Sequence, residues 1–142
     1  MKKVTSINKN FEFQRLYKRG TSVACAYFVV YARRNGTNSN RLGITASKKI
    51  GGAVQRNRAR RRLKELYRTN LHRLQKGYDI VIVARSSMIN AEFDALLRSY
   101  FWATRKVGVL NDNGKPLANT EKSYHGNKRL TDKKSVIKKS ES

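Results

Sequence analysis

The chain has 142 residues, with 32 Lys and Arg against 9 Asp and Glu and a net charge of +23. That is the length of one domain, and so large an excess repels itself unless a polyanion neutralises it, which makes nucleic acid the first candidate partner and an anionic membrane surface the second. The longest apolar run, residues 23–32, is too short to span a bilayer as a helix; the start "MKKVTSINKNF" lacks the apolar segment of a secretory signal; and the single cysteine, Cys25, leaves no intramolecular disulfide or Cys-based zinc site and suits a reducing cytoplasm.

In "NKNFEFQRLYKRG", Phe13, Leu16 and Tyr17 fall at i, i+3 and i+4 ahead of Gly20, which predicts a short helix from about Lys9 to Arg19. The β-branched and aromatic run "TSVACAYFVVYARRNG" predicts strand, as one element or as two meeting at a kink. A turn cluster over 35–40 precedes a further extended stretch, in which Leu42 and Ile44 alternate with Gly43 and Thr45. Gly51 and Gly52 break it and open a basic helix expected from about Ala53 to Leu74. "YDIVIVARS" is nearly continuous in apolar residues, the pattern of a strand buried on both faces. Asn90 is expected to cap a last helix, with Glu92 and Asp94 in its first turn, Arg105 and Lys106 in its last, and an apolar stripe of Phe93, Leu96, Leu97, Tyr100 and Val107.

This order predicts an α+β fold, α-β-β-β-α-β-α, with one four-stranded mixed sheet and helices packed on it. The charge separates two regions. Residues 1–110 hold 24 basic and 5 acidic side chains; residues 111–142 hold 8 and 4, with the only proline and few apolar residues. We expect a folded domain over 1–110 and a flexible basic tail over 111–142.

Within the basic helix, Ala59, Leu63, Leu66, Tyr67 and Leu74 gather on one side, and Asn57, Arg58, Arg61, Lys64, Glu65 and Arg68 on the other. Solvated helix faces normally mix Glu with Lys in i,i+4 pairs, but here Glu65 is the only acid from Lys48 through Gly77. Like charges one turn apart, at Arg58, Arg61/Arg62 and Arg68, each cost roughly a few tenths of a kcal/mol. A helix that carries that cost is shaped for phosphates, and arginine suits them because its guanidinium forks two oxygens. The helix start after Gly51-Gly52 adds free backbone N–H groups.

No zinc-finger spacing, basic zipper or helix-turn-helix pattern supports reading of DNA sequence. Phe11, Phe13, Tyr17, Tyr27, Phe28 and Tyr31 interleave with basic residues instead, as in proteins that stack single-stranded bases above a cationic groove. Along the strand, Phe28 and Val30 share one face and Tyr27, Val29 and Tyr31 the other, and alternation alone does not tell which is open. For catalysis by the polypeptide the inventory is poor: two histidines, no carboxylate pair, and no HExxH, GxSxG or Walker motif. Asp79 is expected to cap a turn.

"SKKIGGAVQRNRARRRLKE" resembles the motif of the bacterial ribonuclease P protein subunit, in which a Ser-Lys-Lys-hydrophobic-Gly strand end leads into a helix opening Ala-Val-x-Arg-Asn-Arg-x-Lys-Arg. "FEFQRLYKRGTSVACAYFVVY" and "YDIVIVARSS" extend the likeness over roughly residues 6–107, with Arg60 where the family usually has Lys and Lys64 where it often has Arg. The resemblance implies an RNA-binding subunit of an endoribonuclease whose catalyst is a large RNA, using Mg2+ to remove the 5′ leader from precursor tRNA. By position it implies that Arg56, Asn57, Arg58, Arg60, Arg61, Lys64 and Arg68 meet the catalytic RNA. Phe13, Tyr17 and Tyr31, with Lys48 and Lys49 nearby, would line a cleft for the single-stranded leader, which selects the Tyr31 face of the strand. The implied fold is a ribosomal protein S5 domain 2-like sandwich with a left-handed β-α-β crossover, where the general rule gives a right-handed one. The implied setting is cytoplasmic, with no membrane partner. The competing readings are a ribosomal-type RNA-binding protein or RNA chaperone outside tRNA processing, and an RNA-free nuclease, which the scarcity of acids disfavours.

Overall fold

The computed structural model describes residues 4–111. The elements in chain order are α1 (Asn10–Arg19), β1 (Thr21–Ala24), β2 (Phe28–Arg34), β3 (Arg41–Thr45), α2 (Ala53–Thr69), β4 (Tyr78–Ala84) and α3 (Phe93–Val107), with 3-10 turns at Leu71–Arg73 and Ser86–Met88. Residues 112–142, nearly all of the expected tail, lie outside the described residues. The four strands form one mixed sheet in the order β1-β2-β4-β3. β1 with β2 and β2 with β4 are antiparallel, while β3 runs parallel to β4, so α2 is the crossover between adjacent parallel strands.

β4 is flanked on both sides, and its Ile80, Val81 and Ile82 are all buried, as its apolar run predicts. Ile80 and Ile82 join Phe28, Val30, Ala32 and Leu42 on one face, beneath Ala59, Leu63, Leu66 and Tyr67 of α2 and Leu96, Tyr100 and Trp102 of α3. Val81 joins Val29 and Tyr31 on the other face, beneath Leu16 of α1 and Ile7. The sheet is therefore covered by α2 and α3 on one side and by the shorter α1 on the other. That inequality leaves part of the α1 face open. The N-terminal residues add a partial edge to β3: the Leu42 N–H donates to the Thr5 carbonyl at 2.8 Å and the Ile7 N–H to the Leu42 carbonyl at 2.9 Å.

Four expectations are corrected. The run 21–34 is a hairpin rather than one strand or a kinked pair, with Ala24 opposite Val29 and the Cys25 N–H on the Phe28 carbonyl at 2.9 Å. Its turn, Cys25-Ala26-Tyr27, contains none of the Gly, Asn or Asp that mark hairpins in a sequence. The basic helix ends at Thr69, not Leu74. There the Asn70 side chain donates to the Leu66 carbonyl at 2.9 Å and the Thr69 hydroxyl to the Glu65 carbonyl at 2.7 Å, so side chains satisfy the last helical acceptors. Asn90 does not cap α3; Glu92 holds that position without a side-chain hydrogen bond. The loop ahead of α3 is tied down by Arg62, whose guanidinium donates to the carbonyls of Met88 at 2.9 Å, Ile89 at 3.2 Å and Ala91 at 2.6 Å. The buried side of α3 is also wider than the expected stripe, because Ser99, Phe101, Trp102, Ala103 and Thr104 are all covered, while Phe93 stays 40% exposed.

Two features fix α1 on the sheet. At Gly20 a Cβ would lie 2.8 Å from the Leu16 carbonyl oxygen and 2.9 Å from that of Ala32, so only glycine lets the helix turn this tightly into β1. At the other end, Arg41 donates to Glu12 of α1 at 3.0 Å and forks Asp79 of β4 at 2.7 and 2.9 Å, and Asn35 donates to the same carboxylate at 2.9 Å. Asp79 is thus a helix-to-sheet anchor rather than a turn cap. Burial acts to raise its carboxyl, but the bonds from Arg41 and Asn35 outweigh that and hold it below the ordinary carboxylate range. Its stabilisation is present above that range and is lost as pH falls through it.

Candidate nucleic-acid interface

α1 packs on the less covered face of the sheet, and its Phe13 ring sits on Gly43 of β3, where a Cβ would approach the ring carbons to 2.7 and 2.8 Å. One turn later the Tyr17 hydroxyl is 3.0 Å from the Thr45 Oγ1, and the Tyr17 ring stands edge-on to Tyr31 with centroids 4.9 Å apart. Phe13 and Tyr17 are 6.5 Å apart. The three rings expected along a single-stranded cleft therefore form one cluster, but they are not equivalent. Phe13 and Tyr17 are half-buried, whereas Tyr31 is only 9% exposed and lies behind Tyr17. Burial, and secondarily Tyr17, push the Tyr31 hydroxyl above its ordinary pKa. Tyr31 supports the Tyr17 ring, and the faces left for stacking belong to Phe13 and Tyr17.

Beside this cluster runs α2. Asn57, Arg58, Arg60, Arg61 and Lys64 are exposed along it, and Arg56 is half-buried. A groove of about 440 Å³ joins the two elements: it is lined by Phe13 and Gly43 on the sheet side and by Asn57, Arg60, Arg61 and Lys64 on the α2 side. Arg60 is oriented within it by a 3.3 Å hydrogen bond to the Asn57 side-chain oxygen. Arg56 and Arg58 do not line this groove, and Lys48 and Lys49 project, exposed, from the turn after β3. Arg68 stands apart in an ion pair with Glu65 at 2.9 Å. Arg62, grouped with Arg61 by charge, turns inward to the α3 loop, and burial, then Arg58, lower its pKa. Helical periodicity places Arg62 near the edge of the polar face but does not reveal the carbonyls that claim it.

The residue that sequence reasoning passed over is Gly43. A glycine inside a strand signals close approach by another group, and here the group is the Phe13 ring. Gly43→Val is expected to push the ring out of place and weaken single-stranded RNA binding roughly tenfold or more, the scale of one stacked base. Fluorescence anisotropy with a labelled oligonucleotide checks this; unchanged affinity would remove Phe13 from the site.

The arrangement of rings and cations is one that binds a polyanionic strand. Among the described residues no group of three or more His, Cys, Asp or Glu is placed to hold a metal ion. Of the five acids within residues 4–111, Glu12 and Asp79 are engaged by Arg41 and Glu65 by Arg68, a poor donor set for a protein-bound Mg2+. No helix among the described residues is long and apolar enough to cross a membrane.

Comparison with known proteins identifies the family and matches the fold. The family model described as Ribonuclease P matches residues 1–108. A "Ribonuclease P protein component" of Alkaliphilus oremlandii is 36% identical over 111 residues, covering 78% of this chain and 97% of its own length. One from Clostridium botulinum is 40% identical over 110 residues, 77% of this chain and 99% of its own length. Among solved structures, the Staphylococcus aureus RNase P protein superposes with a TM-score of 0.69 at 35% identity, over 77% of this chain and all (100%) of that one. The Thermotoga maritima RNase P protein gives 0.65 at 30% identity, over 70% and 96%.

Proposed function

The chain belongs to the ribonuclease P protein family, and from that membership we propose a division of labour across its surface. The α2 face binds the catalytic RNA, and the cleft between α1 and the sheet holds the single-stranded 5′ leader of precursor tRNA. As a ribonuclease P protein component the chain is an RNA-binding part of an endoribonuclease that matures the tRNA 5′ end, with an RNA subunit as its partner. The observation that carries the division is the groove in which Phe13 meets Asn57, Arg60, Arg61 and Lys64. The Phe13 ring on one wall, with Tyr17 one turn further along α1, and cations on the other suit a strand whose bases stack inward while its phosphates face guanidinium and ammonium groups.

In this reading the protein's work is electrostatic and positional. Arg60, held by Asn57, and Arg61 neutralise phosphates where two RNA chains approach each other. Phe13 and Tyr17 retain leader bases and so keep the scissile bond in register. Arg56, Arg58, Lys64 and Arg68 extend the contact with the catalytic RNA, and Lys48 and Lys49 lie where the leader passes the end of β3. Mg2+ is held by the RNA, where the phosphates are.

Holoenzyme assembled with Phe13→Ala or Tyr17→Ala is expected to bind precursor tRNA roughly 10- to 100-fold more weakly, at one stacked base per ring, and leaderless tRNA as well as before. Equal losses for both substrates would contradict a leader site. A general RNA chaperone would not distinguish the two substrates even with the native chain.

A further inference from the structure

The same helix carries a second set of chemistry on its far flank, which the leader cleft does not use. Phe11, Gln14, Arg15, Lys18 and Arg19 of α1, with Arg33 at the end of β2, line a hollow of about 490 Å³. No acid lines it, and among the described residues none of these four cations stands in an ion pair. Glu12, on the same helix, and Asp79, opposite Arg33 in the sheet, are both engaged by Arg41. Phe11 is 56% exposed, and the Arg15 guanidinium lies 5.7 Å from its ring centroid. An exposed ring backed by a guanidinium and surrounded by unpaired cations offers a stacking face and phosphate contacts together.

Register puts this flank and the cleft on opposite sides of α1. Arg33, Asp79 and Arg41 make one row across β2, β4 and β3, below the far flank, while Val29, Val83 and Thr45 make the row at the other end, where Tyr17 rests. The helix between is only about 10–12 Å wide. A strand seated on Phe13 therefore reaches Phe11 by crossing the first turn of α1.

We propose that the Phe11–Arg15–Lys18–Arg19–Arg33 flank holds the upstream continuation of a single-stranded RNA leader, beyond the nucleotides in the cleft. This rests on the leader reading of the cleft, and one experiment separates the two. Holoenzymes carrying the native chain, Phe11→Ala, the pair Lys18→Gln with Arg19→Gln, or Phe13→Ala are titrated with precursor tRNAs whose leaders lengthen one nucleotide at a time. With the native chain, affinity is expected to rise in two steps. Phe11→Ala and the paired variant should each abolish only the second step, roughly tenfold for a stacked base. Phe13→Ala should abolish the first. Long leaders bound as tightly by the flank variants as by the native chain would overturn the proposal. So would equal losses on the shortest leaders, which would assign the flank to another RNA. A first step unmoved by Phe13→Ala, with the second still sensitive to the flank variants, would instead retire the cleft reading and leave the flank standing. Unchanged melting temperatures establish that these exposed substitutions leave the fold intact.

Discussion

Raising salt from about 50 to about 200 mM is expected to weaken binding to the catalytic RNA by roughly 10³- to 10⁵-fold, if some six to ten phosphates are neutralised. The expectation follows from what the cations of the folded region are doing. Residues 1–110 hold 24 basic and 5 acidic side chains, and along α2 the ion pair is that of Arg68 with Glu65. Apart from Arg62, which is spent on the α3 loop, and Arg68, which is paired with Glu65, the cations of α2 have solvent and counterions as their default company. Each phosphate they replace releases a counterion, and the gain shrinks as bulk salt rises. A plot of log K against log salt measures this, and a nearly flat line would mean that the charge serves something other than RNA.

The second large effect is local. Replacing Arg60 and Arg61 together by alanine is expected to lower affinity for the catalytic RNA by more than a hundredfold, about 3 kcal/mol, if each makes one charge-assisted hydrogen bond of roughly 1.5–3 kcal/mol. The salt slope should drop by about two, one for each phosphate left without its cation. Both side chains are exposed, and the helix beneath is held by Ala59, Leu63, Leu66 and Tyr67, which are at most 1% exposed. Loss of binding should therefore come without loss of helicity. Arg62→Ala separates charge from structure: it removes one positive charge, as either single substitution would, but frees three carbonyls ahead of α3. It should lower the melting temperature, whereas the Arg60/Arg61 pair should not. Filter binding with thermal unfolding of the same variants distinguishes the cases.

What the sequence disclosed follows the reach of its periodicities. The polarity of α2 is legible because apolar residues at 59, 63, 66 and 67 share one side of a 3.6-residue helix, and they are indeed the buried ones. The end of that helix is not, because Leu71 and Leu74 prolong the pattern through a 3-10 turn whose cause is hydrogen bonding by Thr69 and Asn70. The burial of β4 on both faces is legible in its apolar run, but the hairpin before it is hidden by a turn of Cys, Ala and Tyr. The site divides in the same way. Phe13 and Tyr17 announce themselves as one face of α1, and the Arg-rich face announces a phosphate partner. That the two walls meet across Gly43, that Tyr31 lies behind Tyr17 and that Arg62 turns inward are tertiary facts, set by where α1 and the α3 loop pack. The choice of the Tyr31 face came from family resemblance, since alternation along β2 makes two equivalent stripes. The anchor of Arg41 to Glu12 and Asp79 joins residues far apart in the chain, and nothing local marks it.

The most direct test is reconstitution with the cognate catalytic RNA at a magnesium concentration too low for that RNA to work alone. Adding this chain is expected to restore cleavage of precursor tRNA at the 5′ end of the mature sequence, while the purified chain without RNA cleaves nothing. Cleavage by the chain alone, or an RNA whose activity and leader affinity do not change when the chain is added, would contradict it.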